Sequence, residues 1–290
     1  MNKTLLCRVL NLNRSSLYHQ SIQESKDSCL AIKIQKVMLA HPFFGAKRLS
    51  WELSETLSRP INHKRVSRVM IKYNLQCQKR GFKYRKKQDL GKLPMDIPNL
   101  FKLKVMDRSK SLLQSPNQVW CSDFTYLKFQ GRWKYLFTIL DAKTREILNF
   151  NLVNSHQSSW LRLTISEAVQ RYGRPDMFHS DQGSEFTAEE TLNLLKRDNI
   201  QISMSKKASP WENSYQERFY GNFKLELKYR LKTEMKNKYD EAELYELVAK
   251  QIHYYNNYRF HTSIKDKPAR YRQRLLANLK ENKVSKKVGG

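Results

Sequence analysis

The run Val119 to Val153, VWCSDFTYLKFQGRWKYLFTILDAKTREILNFNLV, decides the fold. From Val119 to Phe129 apolar and polar side chains alternate, as in a strand with one buried face, and Gly131 breaks the run. Trp133 to Leu140 is a second apolar run and Glu146 to Val153 a third, each of strand length. Short turns join them, so the three form an antiparallel meander, with Asp141 making the turn at Asp-Ala-Lys-Thr. Further along, a helix through Trp160, Leu163, Ile165 and Ala168 ends at Gly173-Arg174-Pro175. A short strand, Asp176 to His179, then runs into Asp181. A helix over Ala188 to Arg197, a strand over Ile200 to Met204, and long helices over Glu212 to Arg230 and Asp240 to Tyr258 complete the pattern. The order βββαβαβα predicts an α/β fold with a mixed five-stranded sheet and helices on its faces.

The chain of 290 residues has a net charge of +27, from 54 Lys and Arg against 27 Asp and Glu, and attracts a polyanion. DNA is the expected partner. No apolar stretch of about 18 residues offers a membrane span, and no charged-then-apolar leader opens the chain, so the expectation is a soluble cytoplasmic protein without a membrane partner. Cys7, Cys29, Cys77 and Cys121 lie far apart, without C-x-x-C pairs or zinc-finger spacing, and read as reduced thiols.

Residues 1 to 118 hold 24 basic and 7 acidic side chains, which marks the first part as the binding arm. Residues 1–78 read as helical: a short helix over Thr4 to Leu10, a second capped by Asn13, a third over Ser28 to Ala40, a fourth after Gly45 stopped by Pro60, and a fifth from Asn62 to about Asn74. In the last, Val66, Val69, Met70 and Tyr73 form one face while Lys64, Arg65, Arg68 and Lys72 crowd another. That is the pattern of a helix-turn-helix recognition helix, although a merely solvated basic face gives it too. Residues 79–117, with the basic run Lys79 to Lys87 and Gly91, Pro94, Pro98 and Pro116, form a basic linker. A catalytic core over 118–232 and a C-terminal helix with a basic tail over 233–290 follow.

Three acids carry the candidate chemistry. Asp123 interrupts a strand, Asp181 ends one beside Gly183, and Glu217 lies in a long helix. Each alone reads as a turn or surface residue. Together they supply hard oxygen donors, which suit Mg²⁺, and two such ions about 4 Å apart activate an attacking oxygen and stabilise a leaving one. Asp123 is the expected bridge between the ions. Asn213, Glu217, Lys224 and Lys228 fall near one helical face, a pattern that merely solvated helix charges also give.

The motifs W-x-x-D-x-T-Y at Trp120, H-S-D-x-G-x-E-F at His179, N-x-x-x-E-R-F at Asn213 and F-K-x-E at Phe223, with 35 residues between Asp181 and Glu217, resemble the DDE transposases. More narrowly, they resemble the second-frame catalytic protein of the bacterial insertion-sequence-three family, whose core is retroviral-integrase-like. His41-Pro-Phe-Phe-Gly-Ala-Lys-Arg-Leu49 and Tyr254-Tyr-Asn-Asn-Tyr-Arg-Phe-His261 extend the similarity over about Phe43 to Tyr271. The resemblance implies an RNase H-like fold, with Asp123, Asp181 and Glu217 as catalytic ligands of Mg²⁺ or Mn²⁺. It implies 3′-end cleavage and strand transfer during transposition, with Asn213 and Lys224 as DNA contacts near the site. It implies a homo-oligomer on DNA in the bacterial nucleoid, and an upstream-frame protein with a helix-turn-helix and leucine zipper as fusion or partner. Glu212 stands where the family commonly has Asp. The competing readings are a non-catalytic DNA-binding regulator with an RNase H-like body and a structure-specific nuclease.

Among smaller assignments, Lys228, Arg259 and His261 are DNA candidates. His179 is expected to be a hydrogen-bonded structural residue, and Tyr254, Tyr255 and Tyr258 core rather than base-stacking aromatics.

Overall fold

A computed structural model describes residues 22–78, 97–101, 113–206, 210–234 and 240–288, with Cys7, Val9, Asn11 and Asn13. Most of the two expected N-terminal helices and most of the basic linker lie outside the described residues. The chain divides into two units, Met1–Gly81 and Phe82–Gly290.

In the first unit α1 (Ile22–Ala40), α2 (Ala46–Thr56) and α3 (His63–Lys72) pack on one another. Ile34, Leu49, Leu53, Val66 and Val69 are fully buried there. Burying each contributes roughly 1.5–3 kcal/mol. Helix α1 starts six residues before Ser28, with Glu24 in its first turn. The Asn62 side chain caps α3 by accepting from the Lys64 N–H at 2.8 Å.

In the second unit the sheet comprises β1 (Val119–Phe129), β2 (Arg132–Asp141), β3 (Ile147–Val153), β4 (Met177–Ser180) and β5 (Gln201–Met204). Their spatial order is β3-β2-β1-β4-β5. The meander β1-β2-β3 is antiparallel, and β4 and β5 add parallel to β1. This is the expected mixed five-stranded sheet. The parallel additions need crossovers, supplied by α4 (Ser158–Tyr172) before β4 and by α5 (Ser184–Thr187) with α6 (Glu189–Arg197) before β5.

Side-chain alternation divides the core between two faces. Trp120, Phe137, Ile139 and Phe178 pack against Leu161, Ile165, Leu192 and Leu195 of α4 and α6. Leu127, Phe129, Leu136 and Leu140 pack against α7 (Ser214–Glu234) and α8 (Glu241–Asn257) through Phe219, Phe223, Leu227, Leu244 and Val248. Asp240 and Glu243 form a reciprocal capping box at the start of α8.

The expected basic tail contains a further helix, α9 (Pro268–Val288). Pro268 is pre-set for the first helical position and good helix formers follow, but no continuous apolar stripe announces the helix in sequence. It docks through a polar group, because the buried Arg272 donates to Asp141 Oδ2 at 3.3 Å and Asn117 Oδ1 at 2.7 Å. Asp141 also makes the expected turn, its Oδ1 accepting from the N–H groups of Lys143 and Thr144. Among the described residues no helix is long and apolar enough to cross a membrane.

Candidate active site

Strands β1 and β4 are adjacent and parallel, with Cys121 level with His179. Continuing that register two residues beyond the Cys121–His179 pair, one past the end of β4, brings Asp181 level with Asp123, and neighbouring strands lie about 4.8 Å apart. Asp123 is half-buried and its Oδ1 accepts from the Phe124 N–H at 2.8 Å. Burial, then the neighbouring Asp181, with further contributions from Glu217 and Glu185, push the Asp123 carboxyl up to about 8 against the opposing Phe124 hydrogen bond. The four acids therefore share one electrostatic field. Burial also raises Asp181, whose Oδ1 accepts from the Gly183 N–H at 3.1 Å.

Helix α7 brings Glu217 to this field in its first turn, with the side chain exposed. Three polar side chains fix the helix to the sheet. Asn213 Nδ2 donates to Ser122 O at 3.2 Å, and Gln216 Nε2 donates to Cys121 O at 2.6 Å and Thr138 O at 3.2 Å. The Tyr220 hydroxyl donates to Asp123 O at 2.6 Å and lies 2.8 Å from Thr138 Oγ1. Asn213 belongs to a 3₁₀ turn, Pro210–Asn213, that precedes α7, and so lies outside the regular helix expected to carry it.

A fourth carboxylate, passed over in the sequence as part of a motif, stands beside Asp181. Glu185 is 4% exposed, and its Oε1 is buried without a hydrogen-bond partner among the described residues. A Cβ at Gly183 would stand 3.0 Å from Glu185 Oε1 and 3.2 Å from Asp181 Oδ1, so a larger residue there would push both carboxylates aside by a few tenths of an ångström. The signal was available in Glu185-Phe186: an acid preceding an apolar residue, four positions after Asp181.

Carboxylate oxygens, one of them orphaned and all mutually repulsive, fit a hard divalent cation by donor chemistry. Among the described residues no group of three or more acids, imidazoles or thiols stands close enough together in this structure to hold a metal ion.

His179 is fully buried between β1 and β5. Phe101 N–H donates to Ser203 Oγ, which lies 2.9 Å from His179 Nδ1, while His179 Nε2 lies 3.2 Å from Glu212 O. That network calls for the neutral imidazole with its proton on Nε2. Burial lowers its pKa to about 4. Glu212 is buried too, its Oε2 accepting from Asn99 Nδ2 at 2.8 Å and Lys206 N at 2.9 Å. The pair anchors the segment leading into α7.

Lys224 and Lys228 are exposed on α7, two and three turns beyond Glu217. Arg259 is not at the surface: it is 1% exposed, and its Nε donates to Glu226 Oε1 at 2.9 Å, leaving no surface with which to meet DNA. Its apparent availability came from its place among polar residues just past α8, where a chain turning inward looks the same in sequence as one turning out. Tyr255 is core, whereas Tyr258 is 51% exposed. Lys64, Arg65, Arg68 and Lys72 belong to the first unit. Arg68 and Arg65 face the buried Asp27 at 2.8 and 3.7 Å, and Lys72 pairs with Glu24. Burial alone would raise Asp27, but the Arg68 guanidinium holds it below the usual carboxylate range.

Residues 114–210 match the integrase core domain, and residues 198–268 match a second integrase core domain family. The chain is 31% identical over 230 residues to an uncharacterized transposase-like protein of Haemophilus influenzae, covering 79% of this chain and 100% of that one. It is 27% identical to a putative Escherichia coli transposase of insertion sequence element IS150, covering 92% of each. It is 29% identical to the Lactococcus lactis transposase of insertion sequence element IS904, over 84% of this chain and 93% of the relative. In fold it is similar to a chain of the simian T-cell lymphotropic virus intasome, with a TM-score of 0.50, 17% identity and 55% of each chain covered.

Proposed function

The chain belongs to the insertion-sequence transposases built on an integrase core domain, and from that premise we propose that Asp123, Asp181 and Glu217 are its catalytic residues. The observation that supports this most is the shared field of the three acids, with Asp123 raised by Asp181 and Glu217 after burial. As a polynucleotidyl transferase, the protein cleaves DNA at the 3′ ends of its element and transfers those ends to another phosphodiester.

Asp123 and Asp181, on adjacent strands, and Glu217, in the first turn of α7, would hold the Mg²⁺ or Mn²⁺ ions. When bound, the ions supply activation of the attacking oxygen and stabilisation of the leaving one. The chain's own residues set the geometry. Asn213, Gln216 and Tyr220 keep the Glu217 helix fixed on β1, so the carboxylates are organised before substrate arrives. Lys224 and Lys228, exposed on the same helix, draw the phosphate backbone along it. The first unit, with its basic α3, serves as the binding arm, with Lys64, Arg65, Arg68 and Lys72 as its candidate contacts. Two element ends require at least two copies in the assembled complex, and the upstream-frame helix-turn-helix protein is the further partner or fusion.

A strand-transfer assay with Mn²⁺ on the element ends tests this reading, comparing the chain, its Glu217→Gln variant and a fusion to the upstream frame. Joined product from the parent or the fusion, absent when Glu217 is replaced, is the expected result. DNA binding without cleavage or joining in any form would overturn the catalytic assignment.

A further inference from the structure

Beside α7, on a different face from Glu217, a cavity of about 200 Å³ is lined by Arg145, Ser214, Tyr215, Arg218, His261 and Ser263, among others, and by no acidic side chain among the described residues. Arg145 comes from the turn between β2 and β3. Its guanidinium lies 3.9 Å from the Tyr215 ring centroid, a cation–π contact that fixes its plane. Nε and Nη1 of Arg145 are both buried, and neither has an acceptor among the described residues. A buried charged donor without an acceptor costs free energy unless something in the functional state supplies the acceptor. The backbone adds to the cost, because Arg145 adopts φ 67°, a left-handed conformation that glycine or asparagine takes more cheaply. Arg218, exposed at the cavity, adds a second guanidinium, and His261, whose Nδ1 lies 2.9 Å from Ser263 Oγ, also lines it.

We infer that this cavity is a phosphate-binding site, in which Arg145 and Arg218 grip a backbone phosphate of bound DNA away from the carboxylate cluster. A guanidinium fork matches two phosphate oxygens, and the stacked Tyr215 holds that fork ready. Arg218 directly follows Glu217, so a phosphate held here would set the register of the DNA against the catalytic helix. The assignment to DNA rather than to a free phosphate compound rests on the transposase reading above. The demand for an anionic acceptor does not.

The test has two arms on the full chain. In the first, thermal unfolding is followed in inorganic phosphate, acetate and chloride at equal ionic strength. Phosphate should raise the midpoint above both other anions, and Arg145→Met should remove that gain. Because Arg145→Met alters packing on Tyr215, the exposed Arg218→Gln variant is measured beside it and should weaken half-saturating phosphate several-fold with its unfolding midpoint in chloride unchanged. In the second arm the salt dependence of DNA binding is measured, and each variant should lower its slope by about 0.9, the loss of one phosphate contact. Loss of the phosphate response with an unchanged DNA slope would support the pocket but assign it to a free phosphate-bearing ligand. No phosphate gain in the parent chain, an equal gain from acetate, or an unchanged response in both variants would overturn it. Failure of strand transfer by the parent and fusion would count against the transposase reading alone, since the phosphate arm uses neither DNA nor metal.

Discussion

Tyr220, in the second turn of α7, donates its hydroxyl hydrogen to the backbone carbonyl of Asp123 across 2.6 Å. The bond couples the helix that carries Glu217 to the strand that carries Asp123. Burial, and then the Asp123 charge, raise the phenol well above its ordinary pKa, which favours the protonated donor. Replacing Tyr220 by Phe leaves the Asp123 carbonyl buried without this donor, and should cost about 1–3 kcal/mol in urea unfolding. Strand joining should fall while DNA affinity stays at the parent value. Unchanged joining by a destabilised Tyr220→Phe protein would show that the bond serves folding alone.

Glu185 gives a prediction of opposite sign. Its orphaned Oε1 crowds Asp181 across Gly183, so in metal-free buffer the like charges oppose folding. Glu185→Gln removes that repulsion at nearly constant volume. Its thermal midpoint in a chelator should rise above that of the parent, and the further rise on adding Mn²⁺ should shrink. A midpoint that falls with and without Mn²⁺ would make Glu185 a structural acid with no part in cation binding.

The buried pair Glu226–Arg259 supports the C-terminal part of the second unit. Glu226 Oε1 accepts from Arg259 Nε and Oε2 accepts from Gln251 Nε2, both at 2.9 Å. Arg259→Ala strands the carboxylate with an amide as its remaining described partner, and should cost about 3–5 kcal/mol in chemical denaturation. The DNA affinity of the molecules that remain folded should not change. A stable Arg259→Ala protein with weakened DNA binding would return Arg259 to the interface.

The strands were legible because each apolar run is bounded by a turn and because β1 alternates on a sheet covered on both faces. Helix ends were read less closely where a cap is absent or where a 3₁₀ turn, as at Pro210–Asn213, precedes the α-helix. Helix α9 escaped because its docking depends on one buried cation, Arg272, rather than on a stripe of apolar residues. The acids Asp123, Asp181 and Glu217 drew notice through motif spacing, since sequence distance says little about which strands become neighbours. What sequence could not tell is which cations point inward: Arg259 and Arg272 look like Lys224 and Lys228 until the partners Glu226 and Asp141 are brought to them.

His179 predicts an acid-sensitive fold. Its neutral ring bridges Ser203 and the carbonyl of Glu212, and burial lowers its pKa from 6.5 to about 4. The unfolded chain therefore takes up a proton at this residue at higher pH than the folded one does. Its contribution is fully present above 6.5, declines as pH falls from 6.5 towards 4, and changes no further below that. At pH 5 the loss should reach roughly 2 kcal/mol relative to neutral pH. Glu146, pushed by burial up to about 7 against the opposing Arg272, acts in the other direction: it favours folding at low pH and loses that contribution between 4.5 and 7. The two windows overlap, so the observable is a difference. Urea unfolding of the parent and of His179→Gln, compared at pH 7.5 and at pH 5, should show Gln losing less stability on acidification, whatever its stability at neutral pH. Parallel pH profiles for the two proteins would mean that His179 takes up a proton in the folded state as readily as in the unfolded one, and that the neutral-ring network holding the entry to α7 is wrong.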